Sequence, residues 1–160
     1  MKKGSYFFLL LIMTSMLSCS TQKNTWLSRH FHQMQTKYNI QYNGRKAYND
    51  GLEAINEAHE DDFSTILPLY PISDHEAAKA ATSHMDRAIE KCRKSIKLHS
   101  IKVRPKKINP DKRRRDPKYK AWLQQEEFNE ELSKAWLLLA QSEFHKGDFL
   151  GSISTFNYVA

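Results

Sequence analysis

The stretch Asn129-Glu130-Glu131-Leu132-Ser133-Lys134-Ala135-Trp136-Leu137-Leu138-Leu139-Ala140-Gln141-Ser142-Glu143-Phe144 decides the fold class. It continues through His145-Lys146-Gly147-Asp148 into a second apolar run, Phe149 to Ala160. Asn129 offers an N-cap, the apolar residues recur at three- and four-residue steps, and Gly147 ends the first helix before the second begins. Two helices joined by a short turn are therefore predicted. The rest of the chain agrees with that class. Five glycines and five prolines in 160 residues are too few for a turn-dense β fold, and two cysteines are too few for a disulfide scaffold. Composition favours a helical body.

The spacing of this pair resembles a tetratricopeptide repeat, a two-helix unit of about 34 residues. Trp136, Leu139 and Ala140 stand at the bulky, apolar and small positions of its first helix. Gly147 stands at the turn glycine and Phe156 at the apolar knob of the second helix. Glu143 departs where an aromatic is usual, and Ser152 where alanine is usual. Small residues let paired helices approach, and bulky ones fill the groove of the next repeat, so these five are packing residues first. Stable arrays need about three repeats. The expectation is an all-α chain in which helical hairpins lead into a tetratricopeptide-repeat-like α-solenoid, as the N-terminal piece of a longer protein.

Upstream, Asn24-Thr25 offers a cap for a helix from about Trp26 to Tyr38, with Trp26, Leu27, Phe31, Met34 and Tyr38 at helical spacing. Tyr38 to Gly44 reads as a loop, and a second helix runs from about Arg45 to His59 with Tyr48, Leu52 and Ile55 on one face. A connector over 60–72 follows. Ser73 and Glu76 fit a capping box for a long third helix reaching about His99. Its seam of Met85, Ile89, Cys92, Ile96 and His99 predicts antiparallel packing on helix two. Residues 19–100 thus form an N-terminal helical region. Residues 101–118 read as a basic, proline-containing linker or loop, and 119–160 as a helix and the first, truncated repeat.

The N-terminus has its own logic. Lys2 and Lys3 precede the apolar run Tyr6 to Met13, which is too short to span a bilayer and reads as an export signal over residues 1–18. Leu17-Ser18-Cys19 resembles a lipobox, with Met16 where leucine is usual. Acylation of Cys19 would anchor the chain to a membrane without spanning it. Ser20 and the absence of acids in Thr21 to Asn24 point, by resemblance to lipoprotein sorting signals, to the periplasmic face of the outer membrane. Cys92 would then be the sole thiol left, buried on its helical seam.

Taken in order, the lipoprotein cysteine, Tyr38-Asn39-Ile40-Gln41-Tyr42-Asn43-Gly44, Ala135 to Ala140, Phe144 to Gly151 and Ser154 to Tyr158 resemble the SprE/PorW family. These are tetratricopeptide-repeat lipoproteins of type IX secretion and gliding motility. The resemblance implies an anchored periplasmic scaffold whose partners are protein components of a secretion complex. The alternative is a repeat lipoprotein of outer-membrane protein assembly or nutrient uptake.

Little points to catalysis. The seven histidines include no His-Glu-x-x-His, there is no Cys-x-x-Cys, and no Walker loop or nucleophile elbow occurs. No enzyme, metal, cofactor or small-molecule substrate is expected. Fourteen Lys or Arg and two acids lie between Lys91 and Lys120, a local charge of +12 in a chain of +7. Within it, Lys112-Arg113-Arg114-Arg115 is a candidate electrostatic contact for anionic head groups or an acidic partner, with Tyr42 and Tyr119 as candidate aromatic contacts. An exported chain would rarely meet nucleic acid, so none is expected.

Overall fold

The computed structural model describes residues 23–64 and 66–159. Cys19 and the expected export signal lie outside them. Every regular element is helical, and no strand occurs among the described residues.

Helix α1 spans Trp26–Lys37, with Thr25 as N-cap accepting from Ser28 N. A π-helical segment, Tyr38–Gly44, carries it straight into α2, Arg45–Ala58. The loop expected over Tyr38 to Gly44 is therefore absent. Lys37, Tyr38, Gly44 and Arg45 all hold right-handed helical dihedrals, so the chain never leaves the helix. The Asn and Gly residues that suggested a break are instead accommodated by widened turns. Asn39 Nδ2 donates to the Gln35 carbonyl at 2.9 Å, while Ile40 and Gly44 turn inward. Tyr38 and Tyr42 stack outside with ring centroids 5.6 Å apart.

A 3-10 turn at Pro71–Ser73 leads to α3, His75–Ala80, and after a break at Ala81 to α4, Thr82–His99. The long third helix is thus two pieces. Its cap is Asp74, one residue later than Ser73: the carboxylate accepts from Glu76 N at 3.0 Å and from His59 at 3.2 Å. The His59 hydrogen bond, followed by the backbone amide, holds Asp74 below the usual carboxylate range.

The basic segment corrects a second expectation. It contains a helix, α5, Pro110–Arg115, followed by α6, Pro117–Leu123. Asn109 and Asp116 cap these helices, and Pro110 and Pro117 occupy the first turn, where a missing N–H costs nothing and a fixed φ favours helix. Pro110 and Pro117 start helices here rather than break them. Residues 101–109 remain non-helical, but they are pinned: the Ile101 carbonyl accepts from Phe128 N at 3.0 Å, and Ile101 N donates to Glu127. Helix α7, Leu132–His145, and α8, Phe149–Val159, complete the chain.

Helix α4 is central. Gly44 lies near Cys92 and Gly51 near Met85, so the α1–α2 rod runs antiparallel along one flank of α4, as the seam predicted. Arg93 meets Glu143 and Asp86 meets Lys146, which places α7 antiparallel on the other flank. One core joins Ile40, Tyr48 and Ile55 to Met85, Ile89 and Cys92, then to Leu132, Leu138 and Leu139. At Gly51 a Cβ would lie 2.7 Å from Met85 Cε and 3.1 Å from His84 Cβ, so glycine sets the spacing of α2 and α4.

Gly147 is the one described residue with a positive φ, +88°. A Cβ there would meet nothing within 4 Å, so its requirement is conformational alone. Gly147→Ala should cost about 1–2 kcal/mol, the penalty for an L-residue in the left-handed region. Thermal unfolding followed by circular dichroism checks this, and an unchanged midpoint would refute it.

Candidate interaction surfaces

Helices α7 and α8 form an antiparallel hairpin through the Gly147 turn. Trp136 and Tyr158 rings meet at 4.6 Å and Phe144 and Phe149 at 5.5 Å. Leu139 and Ala140 are buried, whereas Phe156 stays half exposed. The structure therefore puts four of the five packing positions at the hairpin seam, core or turn, and leaves the fifth facing out. Beside it, Phe149, Leu150, Ile153 and Tyr158 are also exposed, Leu150 at 84 %. Helix α8 buries only Ser152 fully, whose hydroxyl donates to the Ala140 carbonyl at 2.9 Å. That bond explains a serine where alanine was expected.

Glu143, the other departure, is buried and polar. Its carboxylate accepts from Arg93 at 2.9 Å and from Thr155 at 2.7 Å, tying α4, α7 and α8 together. Its partners lie 50 and 12 residues away, so no local pattern announces them.

The basic run lies on α5, where Lys112, Arg113, Arg114 and Arg115 are all exposed. Lys112 Nζ sits 5.1 Å over the Tyr119 ring, a cation–π contact, and Arg114 pairs with Asp111 at 3.3 Å. Tyr119 stacks on Trp122, so it braces α5, while Tyr42 is open to solvent. Helix α1 reverses the usual pattern. It buries His32 and Thr36 and exposes Trp26, Leu27, Phe31, Met34 and Tyr38.

Cys92 is buried, and burial pushes its thiol up to about 12, which leaves it protonated and unreactive at neutral pH. His32 and His99, 67 residues apart in sequence, bring their Nδ1 atoms to 3.0 Å. Burial, and then the neighbouring His32, push His99 below the ordinary histidine value of 6.5. The unfolded chain then binds a proton at His99 that the folded chain resists, so the contribution of His99 to folding falls as pH drops below 6.5. We expect the melting temperature to drop between pH 7.5 and 5 (roughly the histidine range), and the drop to shrink in His99→Gln. Equal pH dependence in both proteins would refute the assignment.

Among the described residues no group of three or more His, Cys, Asp or Glu is placed to hold a metal ion. No helix there is long and apolar enough to cross a membrane. No protein-family model and no curated protein matches the sequence.

Proposed function

We propose that this chain is a helical-repeat scaffold lipoprotein of type IX secretion and gliding motility, held by a lipid on Cys19 at the periplasmic face of the outer membrane. The observation that carries the reading is the outer face of the α7–α8 hairpin. Its partner-facing side is packed through Leu139, Ala140 and Trp136, while Phe149, Leu150, Ile153 and Phe156 present an apolar surface. An apolar face on a finished helical pair is what a tetratricopeptide repeat offers to the next unit of a solenoid, and such stacks bind other proteins. The sequence likeness of Trp136 to Tyr158 and of Tyr38 to Gly44 to SprE/PorW members supplies the biological setting.

The test is a crosslinking pull-down of the tagged native protein from whole membranes, with the bait's intact mass read alongside. Recovery of secretion-ring or translocon components on a lipidated bait is expected. Recovery of barrel-assembly or nutrient-uptake proteins would replace this function with the alternative, and an unlipidated bait without partners would overturn both.

A further inference from the structure

Charge is divided unevenly along this chain, and the fold gathers it. The first acidic residue is Asp50, and residues 101–120 hold ten Lys or Arg against Asp111 and Asp116. These two acid-poor stretches meet at the start of α1. Asn24 Nδ2 donates to the Val103 carbonyl at 2.7 Å, and Asn24 Oδ1 accepts from Arg29 at 2.5 Å. The Arg29 guanidinium lies 5.0 Å over the Trp122 ring. A groove of about 680 Å³ opens between the stretches, with Lys23, Trp26, Arg29, Lys106, Tyr119 and Trp122 along it. Trp26, on that lining, is 67 % exposed, and its neighbour Leu27 on the first turn of α1 is 72 % exposed. Among the described residues, Arg114 with Asp111 is the only ion pair formed by the cations of 101–120.

We propose that this face, the first turn of α1 together with the basic segment 101–120, docks onto an anionic phospholipid leaflet. The proposal deepens the function above and rests on its lipid anchor. Lys23 follows Cys19 by four residues, so the chain between them reaches at most about 14 Å and holds this end of the molecule against the leaflet. Clustered Lys and Arg with few compensating acids match the negative surface potential of phosphate head groups. Exposed Trp and Leu beside them match the boundary between head group and acyl chain, where amphipathic aromatic side chains settle. An acidic protein partner would meet the charge. The tether and the exposed Trp26 and Leu27 favour the membrane.

The processed, full-length protein is purified from membranes and reconstituted into vesicles of phosphatidylcholine, with or without phosphatidylglycerol. Amine acylation rates are then read lysine by lysine from peptide masses. Lys106, Lys107 and Lys112 should label several-fold more slowly on the anionic vesicles, with Lys79 and Lys146 unchanged and the difference lost at high salt. The triple change Arg113→Glu, Arg114→Glu, Arg115→Glu, on an exposed helix, should remove most of that protection, with circular dichroism confirming retained structure. Equal labelling on both vesicles would overturn the proposal. Protection in native membranes but on neither vesicle would assign the face to an acidic protein and overturn it as well. Intact mass separates the two ideas: a bare Cys19 sinks the anchor alone. The same labelling is then repeated with protein added to preformed vesicles, where anionic protection sustains the docking face and its absence refutes it.

Discussion

Asn129→Ala should destabilise the native state by about 3 kcal/mol, a large part of the roughly 5–15 kcal/mol that holds a domain together. Asn129 is 1 % exposed, and every polar atom of its side chain is used. Its Nδ2 donates to Thr36 Oγ1 and to the His99 carbonyl, both at 2.9 Å, and its Oδ1 accepts from Glu131 N at 3.2 Å. One amide thus joins α1, the end of α4 and the approach to α7. Its own backbone N–H donates to Glu127, whose carboxylate also binds Ser100 and Ile101. Alanine would leave the fully buried Thr36 and the His99 carbonyl short of a donor, and each such loss costs about 1 kcal/mol or more. The decisive measurement is a double-mutant cycle with Thr36→Val in urea unfolding. A shared bond requires the two losses to be less than additive; simple additivity would sink it.

Although α7 starts at Leu132 with Glu131 in the cap position, so that the Asn129 side chain closes the turn before the helix rather than capping it, a polar role for Asn129 at this helix entry was legible in the sequence. Its bonds to residues 93 and 30 positions away were not. The same division holds across the molecule. The seam Met85, Ile89 and Cys92 announced its own burial through helical spacing, and its partner α2 followed from chain order. On α1 the same logic misleads. The apolar residues recur at helical spacing, yet the side that packs carries His32 and Thr36, because a polar network with His99 and Asn129 occupies that interface. Periodicity reports that a helix has two faces; it does not report which face the rest of the chain covers. The π-helical segment and α5 stand where the sequence suggests loops, and α6 starts two residues ahead of the helix read from 119, for a related reason. Asn, Gly and Pro are punctuation only relative to position, and Pro117 behind the cap Asp116 begins a helix as readily as it would end one.

Leu138→Ala should cost about 4 kcal/mol, toward the upper part of the range for leucine truncation in a core. In Trp136-Leu137-Leu138-Leu139 four large apolar residues stand in a row, and spacing alone does not say which points into the core. The fold does. Leu138 is completely buried, and Leu137 is 41 % exposed. Leu138 Cδ2 lies where a Cβ on Gly44 would be only 3.1 Å away, with Cys92 Sγ beside it, so this side chain fills a junction of the π-helical segment, α4 and α7. Three helices held by separate contacts cannot all collapse onto one lost side chain, so a cavity remains and adds to the lost transfer energy. Urea unfolding should show a lowered midpoint with an unchanged slope for Leu138→Ala. Leu137→Ala should shift it by less than about 1 kcal/mol, as surface changes do. The cavity also opens beside Cys92, whose buried thiol should then react faster with a thiol reagent in Leu138→Ala than in the parent, and no faster in Leu137→Ala. Equal costs at 137 and 138 would mean that α7 presents a different face to α4, and the exposed side of the α7–α8 hairpin would have to be redrawn with it.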